Sequence, residues 1–249
     1  MKEKIYTIPI TESYEQDSEC PFCFLEKKLE NEAVDYALGA AMMEPDYRLV
    51  SNDKGYCSKH FAQMFASPNK LSLALILDTH LEEVIKKLAS AESFVNGAGS
   101  KKGGLFRKSA PPSSDSELVK TTAALQSSCV ICDKLNETIS RYTEVFFYMW
   151  EKDAAFREKV LSSKGLCLKH FGMLTEKARD CLKSPDEFIK PMYNLEMKNL
   201  NRIKEDIHKF TLKFDYRNKD MPWGTAEDAP IRTIEKLRGY NIPVKKDEK

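Results

Sequence analysis

Two cysteine pairs and two cysteine–histidine pairs constrain this chain more than any other feature. Cys20-Pro-Phe-Cys23 precedes Cys57-Ser-Lys-His60, and Cys129-Val-Ile-Cys132 precedes Cys167-Leu-Lys-His170. Nearly equal intervals separate the two halves of each set. Around the second halves, Lys54-Gly-Tyr-Cys-Ser-Lys-His-Phe61 and Lys164-Gly-Leu-Cys-Leu-Lys-His-Phe171 agree at six of eight positions. Agreement in composition, order and spacing points to an internal duplication.

Structural zinc sites take four nitrogen or sulfur donors, which commonly arrive as two short chelating pairs. A three-residue step at a helix start puts both side chains on one side of the first turn. The free N–H groups and positive dipole end there favour thiolate. Taken in chain order, Cys20, Cys23, Cys57 and His60 hold one zinc ion, and Cys129, Cys132, Cys167 and His170 hold a second. Four protein donors leave no open position for substrate or water, so these sites read as staples. Cys-Pro-Phe-Cys also looks like a thiol oxidoreductase motif. That motif follows a buried strand, however, and no apolar strand leads into Cys20; the second copy lacks the proline.

Length and charge narrow the remaining classes. The 249 residues suffice for one large domain or two of roughly 100–130 residues. Lys and Arg total 39 against 38 Asp and Glu, so no net field attracts a polyanion, and no nucleic-acid partner is expected. The sole local basic cluster is Lys101, Lys102, Arg107 and Lys108, within a Gly-, Ser- and Pro-rich stretch. The beginning lacks a signal-peptide pattern and no apolar run is long enough for a membrane span. The expected location is therefore cytoplasmic, where thiols stay reduced and paired cysteines are metal ligands or redox groups.

Periodicity reads as all-α throughout. Residues 1–17 offer no helical stripe and are expected to be irregular. A helix should run from Phe22 to about Met43 with Leu25, Leu29, Ala33, Tyr36 and Ala40 buried, ended by Pro45 and followed by a short segment over 46–51. A short helix from His60 to Ala66 precedes one over 70–94, with Leu77, Leu81, Val84 and Leu88 in the core. A helix from Cys132 to Trp150 buries Leu135, Ile139, Tyr142, Phe146 and Met149, and Asp153 caps another through Leu161. Ser184-Pro-Asp-Glu187 reads as a capping box opening a helix to Lys213, with Leu200, Ile203, Ile207, Phe210 and Phe214 inward. A last helix from Thr225 should dock through Ile231, Ile234 and Leu237, and residues 244–249 should fray. The expected organisation is a first helical zinc unit at 1–95, a linker at 96–116, a second unit at 117–214 and a strap with a short helix at 215–249.

Other candidates are weaker. Glu205-x2-His208 has di-iron spacing without the required partners, so His208 and His80 read as partly exposed surface residues. Cys181 reads as a half-buried apolar residue. Tyr216, Arg217 and Trp223 could lash the tail down or form a recognition surface.

Cys20-Pro-Phe-Cys23, Lys-Gly-Tyr-Cys57-Ser-Lys-His60-Phe, Gly-Leu-Cys167-Leu-Lys-His170-Phe and Lys213-Phe-Asp-Tyr-Arg-Asn with Pro222-Trp-Gly-Thr and Ala229-Pro together resemble the DUF6062 family of uncharacterised bacterial proteins. The resemblance covers nearly the whole chain and brings no activity with it. The expectation is a non-enzymatic, zinc-stapled scaffold or interaction protein. Two alternatives stand beside it: a redox-responsive zinc protein whose Cys-x2-Cys thiols oxidise with metal release, and a helical-bundle enzyme with a pocket between the units. The sequence names no protein partner and leaves the oligomeric state open.

Overall fold

The computed structural model describes residues 3–90 and 117–239. The expected linker at 96–116 and the frayed end at 244–249 lie outside the described residues. Eleven α-helices and no strands are found among the described residues: α1 Glu3–Ser13, α2 Pro21–Leu38, α3 Pro45–Lys54, α4 Ser58–Ala66, α5 Lys70–Ser90, α6 Glu117–Ser127, α7 Val130–Lys152, α8 Ala154–Ser162, α9 Leu168–Cys181, α10 Asp186–Leu212 and α11 Ala229–Arg238.

The chain packs as two compact units, Met1–Leu29 with Glu137–Lys249, and Glu30–Asn136. These units do not follow the tandem division into 1–95 and 117–214. Two helices, α2 and α7, each contribute one end to either unit.

The unit containing both termini is built on aromatic rings. Phe146 sits at its centre, fully buried, with edge-on contacts to Phe22, Phe147, Phe156 and Phe188 at centroid distances of 5.3–5.9 Å. Such pairs each contribute about 0.5–1.5 kcal/mol beyond area burial. The stripe expected on α7 is therefore present. The irregular 1–17 segment is not, because α1 forms with Pro9 inside it. Tertiary packing accounts for this: Ile10 and Tyr14 are buried, and Tyr14 meets the Phe146 and Phe156 rings. Asp153 caps α8 as expected, its carboxylate accepting from the Phe156 N–H.

Helix α10 departs from its apolar stripe. Its buried line is Phe188, Met192, Leu195, Glu196, Asn199, Ile203 and Asp206, while Phe214 is exposed. No side-chain cap forms at its start; the Glu187 N–H donates to the Ser184 carbonyl instead of the hydroxyl. The buried polar positions receive α11. Arg232 contacts Asp206 at 3.0 Å and Asp228 at 2.7 Å, and Arg202 reaches the buried Glu19 at 2.6 Å. Consequently α11 docks through Ala229 and Lys236, and Ile234 and Leu237 face solvent. Charge pairing, which an apolar pattern cannot display, sets its orientation.

In the Glu30–Asn136 unit, Val34, Ala37, Leu38, Tyr56, Met64, Leu73, Ile76, Cys129 and Ile131 form the core. Pro45 begins α3 where a terminator was expected, since proline at a first helical position loses no hydrogen bond. The α2 stripe also shifts: Val34, Ala37 and Leu38 are buried and Tyr36 is exposed. Leu77 and Leu81 of α5 are exposed as well. The packed side of α5 carries Leu73, Ile76 and Thr79, the last accepting from Arg48 at 2.6 Å and donating to Asn52 at 2.8 Å on α3. Polar anchoring on α3 outweighs the longer apolar stripe.

Replacing Phe146 by Ala should cost about 3–5 kcal/mol through the cavity it leaves. Urea unfolding followed by far-UV circular dichroism should show the midpoint fall with an unchanged slope.

Candidate metal centres

Each cysteine motif begins at a helix start. Cys57 and Cys167 are the residues preceding α4 and α9, both extended, with φ of −72° and −75°. Cys20 and Cys129 stand just before α2 and α7. The chain reaches Cys57 and Cys167 through Gly55 and Gly165, whose φ values are 65° and 79°. A side chain at either glycine would collide, with His80 at Gly55 and with the Glu196 carboxylate at Gly165. Both features restrict these positions to glycine.

The eight donors assemble into two groups, but not in chain order. Cys20 and Cys23 meet Cys167 and His170, while Cys57 and His60 meet Cys129 and Cys132; within each group the donor atoms all lie within 4.8 Å of one another. This corrects the expected pairing of Cys20, Cys23, Cys57 and His60, and of Cys129, Cys132, Cys167 and His170. Each first Cys-x2-Cys takes the Cys-x2-His of the other set. Backbone contacts show why: the Val130 N–H donates to the Gly55 carbonyl at 3.1 Å, and Ser128 Oγ donates to the Lys54 carbonyl at 2.6 Å. These bonds bring the Cys129 turn to the Cys57 turn.

The distances fit a tetrahedral ion. Around His170 Nδ1 the sulfurs of Cys20, Cys23 and Cys167 lie at 3.4, 3.4 and 3.3 Å, and Cys23 and Cys167 are 3.5 Å apart. Around His60 Nδ1, Cys57 and Cys129 lie at 3.2 Å and Cys132 at 3.5 Å, with 3.8 Å between the Cys57 and Cys132 sulfurs. Metal–sulfur and metal–nitrogen bonds of ~2.3 and ~2.05 Å give tetrahedral edges of ~3.8 Å (S to S) and ~3.6 Å (S to N). Two Cys3His clusters able to hold metal ions are therefore present.

Protonation within the clusters is already organised. Burial opposes charging His60, but the Cys129 sulfur and Glu30 raise its pKa to about 9. Burial also works against the Cys129 thiolate, yet the His60 ring brings its pKa down to about 6, while burial and Cys129 push Cys132 up to about 12. In the other cluster hydrogen bonds from Cys20 and Cys23 hold Cys167 low, and burial holds Cys20 high. A divalent ion binding at Sγ would displace these protons, so uptake releases acid.

An acidic side chain stands beside each imidazole. With Nδ1 toward the sulfurs, His60 Nε2 faces the buried Glu30 carboxylate at 3.1 Å, and Glu30 also takes Lys59 and Gln63. His170 Nε2 faces Glu26 at 3.5 Å. The Glu30 carboxylate on the distal nitrogen of His60 fixes its tautomer and raises ligand basicity, whereas Glu26 meets His170 as a charge contact without a hydrogen bond. The Cys20–His170 cluster has a further support. The ammonium of Lys236, 1% exposed, donates to the carbonyls of Glu19 and Leu166 at 3.0 Å, the residues before Cys20 and Cys167, and to that of Lys164. Its counter-charge is the buried Glu196 carboxylate at 3.6 Å, which accepts from the Leu166 N–H. Glu26, Glu30, Glu196 and Lys236 were missed from sequence; only the shared Lys-His step in the two Cys-x2-His motifs hinted at an acidic partner.

Other candidates resolve simply. His80 is partly exposed as expected, its Nδ1 2.7 Å from the Asn52 carbonyl and its ring packed against Gly55. Glu205 and His208 are exposed, and Cys181 is exposed where partial burial was expected. Trp223 packs on Phe210 at 5.5 Å under the Lys213 ammonium, while Tyr216 and Arg217 project outward. Clefts of ≈ 270 Å³, beside Trp150 and Arg157, and ≈ 440 Å³, beside Lys54 and Lys87, contain no cysteine or histidine. No helix among the described residues is long and apolar enough to cross a membrane.

Fold and clusters together define an all-α protein with two candidate tetrahedral Cys3His metal centres. The chain belongs to DUF6062, a family of unknown function, whose model matches residues 1–243. No curated protein and no solved structure matches it.

Glu30→Gln should weaken metal binding at the His60 cluster by about 10–100-fold while the His170 cluster keeps its affinity, as read by competition with a chelator of known constant. Lys236→Met strands Glu196 and three carbonyls; breaking such a buried charge pair costs about 3–5 kcal/mol, measurable as a lowered denaturation midpoint.

Proposed function

We propose that this protein is a non-enzymatic scaffold or interaction protein whose helices are fastened by two structural zinc ions. The observation that carries this reading is the pair of closed Cys3His donor sets, each at coordination spacing. Three thiolates and one imidazole suit zinc over hard cations such as magnesium, which take oxygen donors. With four protein donors and no vacant position, the ion acts on folding and leaves substrate chemistry aside. Residues 20–23 join residues 167–170 through one ion, and residues 57–60 join residues 129–132 through the other. Closing such long loops restrains the unfolded chain.

The matched turns at Gly55–His60 and Gly165–His170 support an origin by duplication. Under that reading the two repeats exchange their second halves, as swapped domains do between protomers. Cysteines held as zinc thiolates suit a reducing compartment such as the cytoplasm.

Purified protein should contain two zinc ions per chain. Removing them with a strong chelator should abolish most far-UV helicity, and zinc should restore it. A metal-free chain with full helicity and an unchanged denaturation midpoint would exclude the staple.

A further inference from the structure

We infer that the two clusters are chemically unequal: the Cys57–His60–Cys129–Cys132 cluster is the oxidant-reactive one, with Cys57 and Cys132 as its disulfide-forming pair, and the Cys20–Cys23–Cys167–His170 cluster is sealed. This rests on the reading that both hold zinc. In the Cys20–His170 cluster all four donors are buried. Gly239, at φ 80°, lies against the sulfurs so closely that a Cβ there would stand 3.3 Å from Cys23 Sγ and 3.6 Å from Cys167 Sγ. The preceding helix, α11, is held by Lys236 and by Arg232, so the cover is anchored at two points. In the other cluster only His60 and Cys129 are buried; Cys57 and Cys132 are both partly exposed. Their sulfurs are 3.8 Å apart. An S–S bond of ~2.05 Å therefore needs an approach of less than about 2 Å, small for residues at two helix ends.

Hydrogen peroxide is the co-reactant. The Cys57 and Cys132 thiolates give up two electrons and join in one S–S bond, while the peroxide O–O bond breaks and, with two protons from solvent, yields two waters. Two of the four donors are consumed, and that zinc ion leaves. Susceptibility along this course follows thiolate character and access. Access separates the clusters here: two cysteines of one are partly exposed, and all three of the other are buried.

The test treats the full zinc-loaded chain with hydrogen peroxide, follows zinc release with a colorimetric chelator and maps cysteines by mass spectrometry without reduction. One zinc per chain should leave at least about tenfold faster than the other, with a Cys57–Cys132 linkage forming in the same phase. Gly239→Ala should speed the slow phase and leave the fast one unchanged. Simultaneous release of both ions, or first oxidation at Cys20, Cys23 or Cys167, would overturn the inequality while leaving the staple intact. A fast phase that links Cys129 to Cys132 would overturn the named pair. A purified chain with no zinc and full helicity would remove the staple reading and this inference with it.

Discussion

Everything in this structure depends on helix starts meeting at four soft donors. α2 and α9 converge on one cluster, α4 and α7 on the other, and each start brings unpaired N–H groups and the positive end of a helix dipole. Three sulfurs so close together would repel one another as thiolates. A divalent ion at their centre would offset that repulsion, because it supplies charge and four directed bonds together. The surrounding polar groups serve that junction. Glu30 holds the His60 imidazole, Glu26 lies beside that of His170, and Lys236 holds the backbone that delivers Cys20 and Cys167.

This arrangement also explains why α10 carries a polar inner face. A buried Glu196, Asn199 and Asp206 would be expensive in an apolar bundle. Arg232 and Thr225 satisfy Asp206, and Lys236 offsets Glu196, so the C-terminal helix is selected by charge and Gly239, which follows it, lies against the cluster. Burial alone would raise the Asp206 pKa; the bonds from Thr225 and Arg232 outweigh it and hold the carboxyl below its usual range. Its contribution to stability is present above the ordinary carboxylate pKa and is lost as pH falls through the lowered folded value.

The all-α class, the eight donors, the Asp153 cap and the inward face of α7 were legible in sequence, because each rests on local spacing. What was not legible rests on partners far along the chain. Chain order suggested joining Cys23 to Cys57, and nothing local distinguishes that choice from Cys23 with Cys167. The α5 stripe misled because Thr79 and Arg48 anchor the opposite side. Pro45 read as a stop, though proline opens a helix as readily as it closes one. Lys236 gives no local sign of its role, which exists only once three carbonyls and a carboxylate surround the ammonium.

The crossed pairing is the central claim, and thiol protection tests it most directly. In the variant Cys20→Ser with Cys23→Ser, loaded with the single zinc it can still bind, brief alkylation and peptide mapping show which cysteines the ion shields. The crossed arrangement predicts that Cys57, Cys129 and Cys132 are protected and that Cys167 is alkylated. Protection of Cys129, Cys132 and Cys167 with a reactive Cys57 would contradict it.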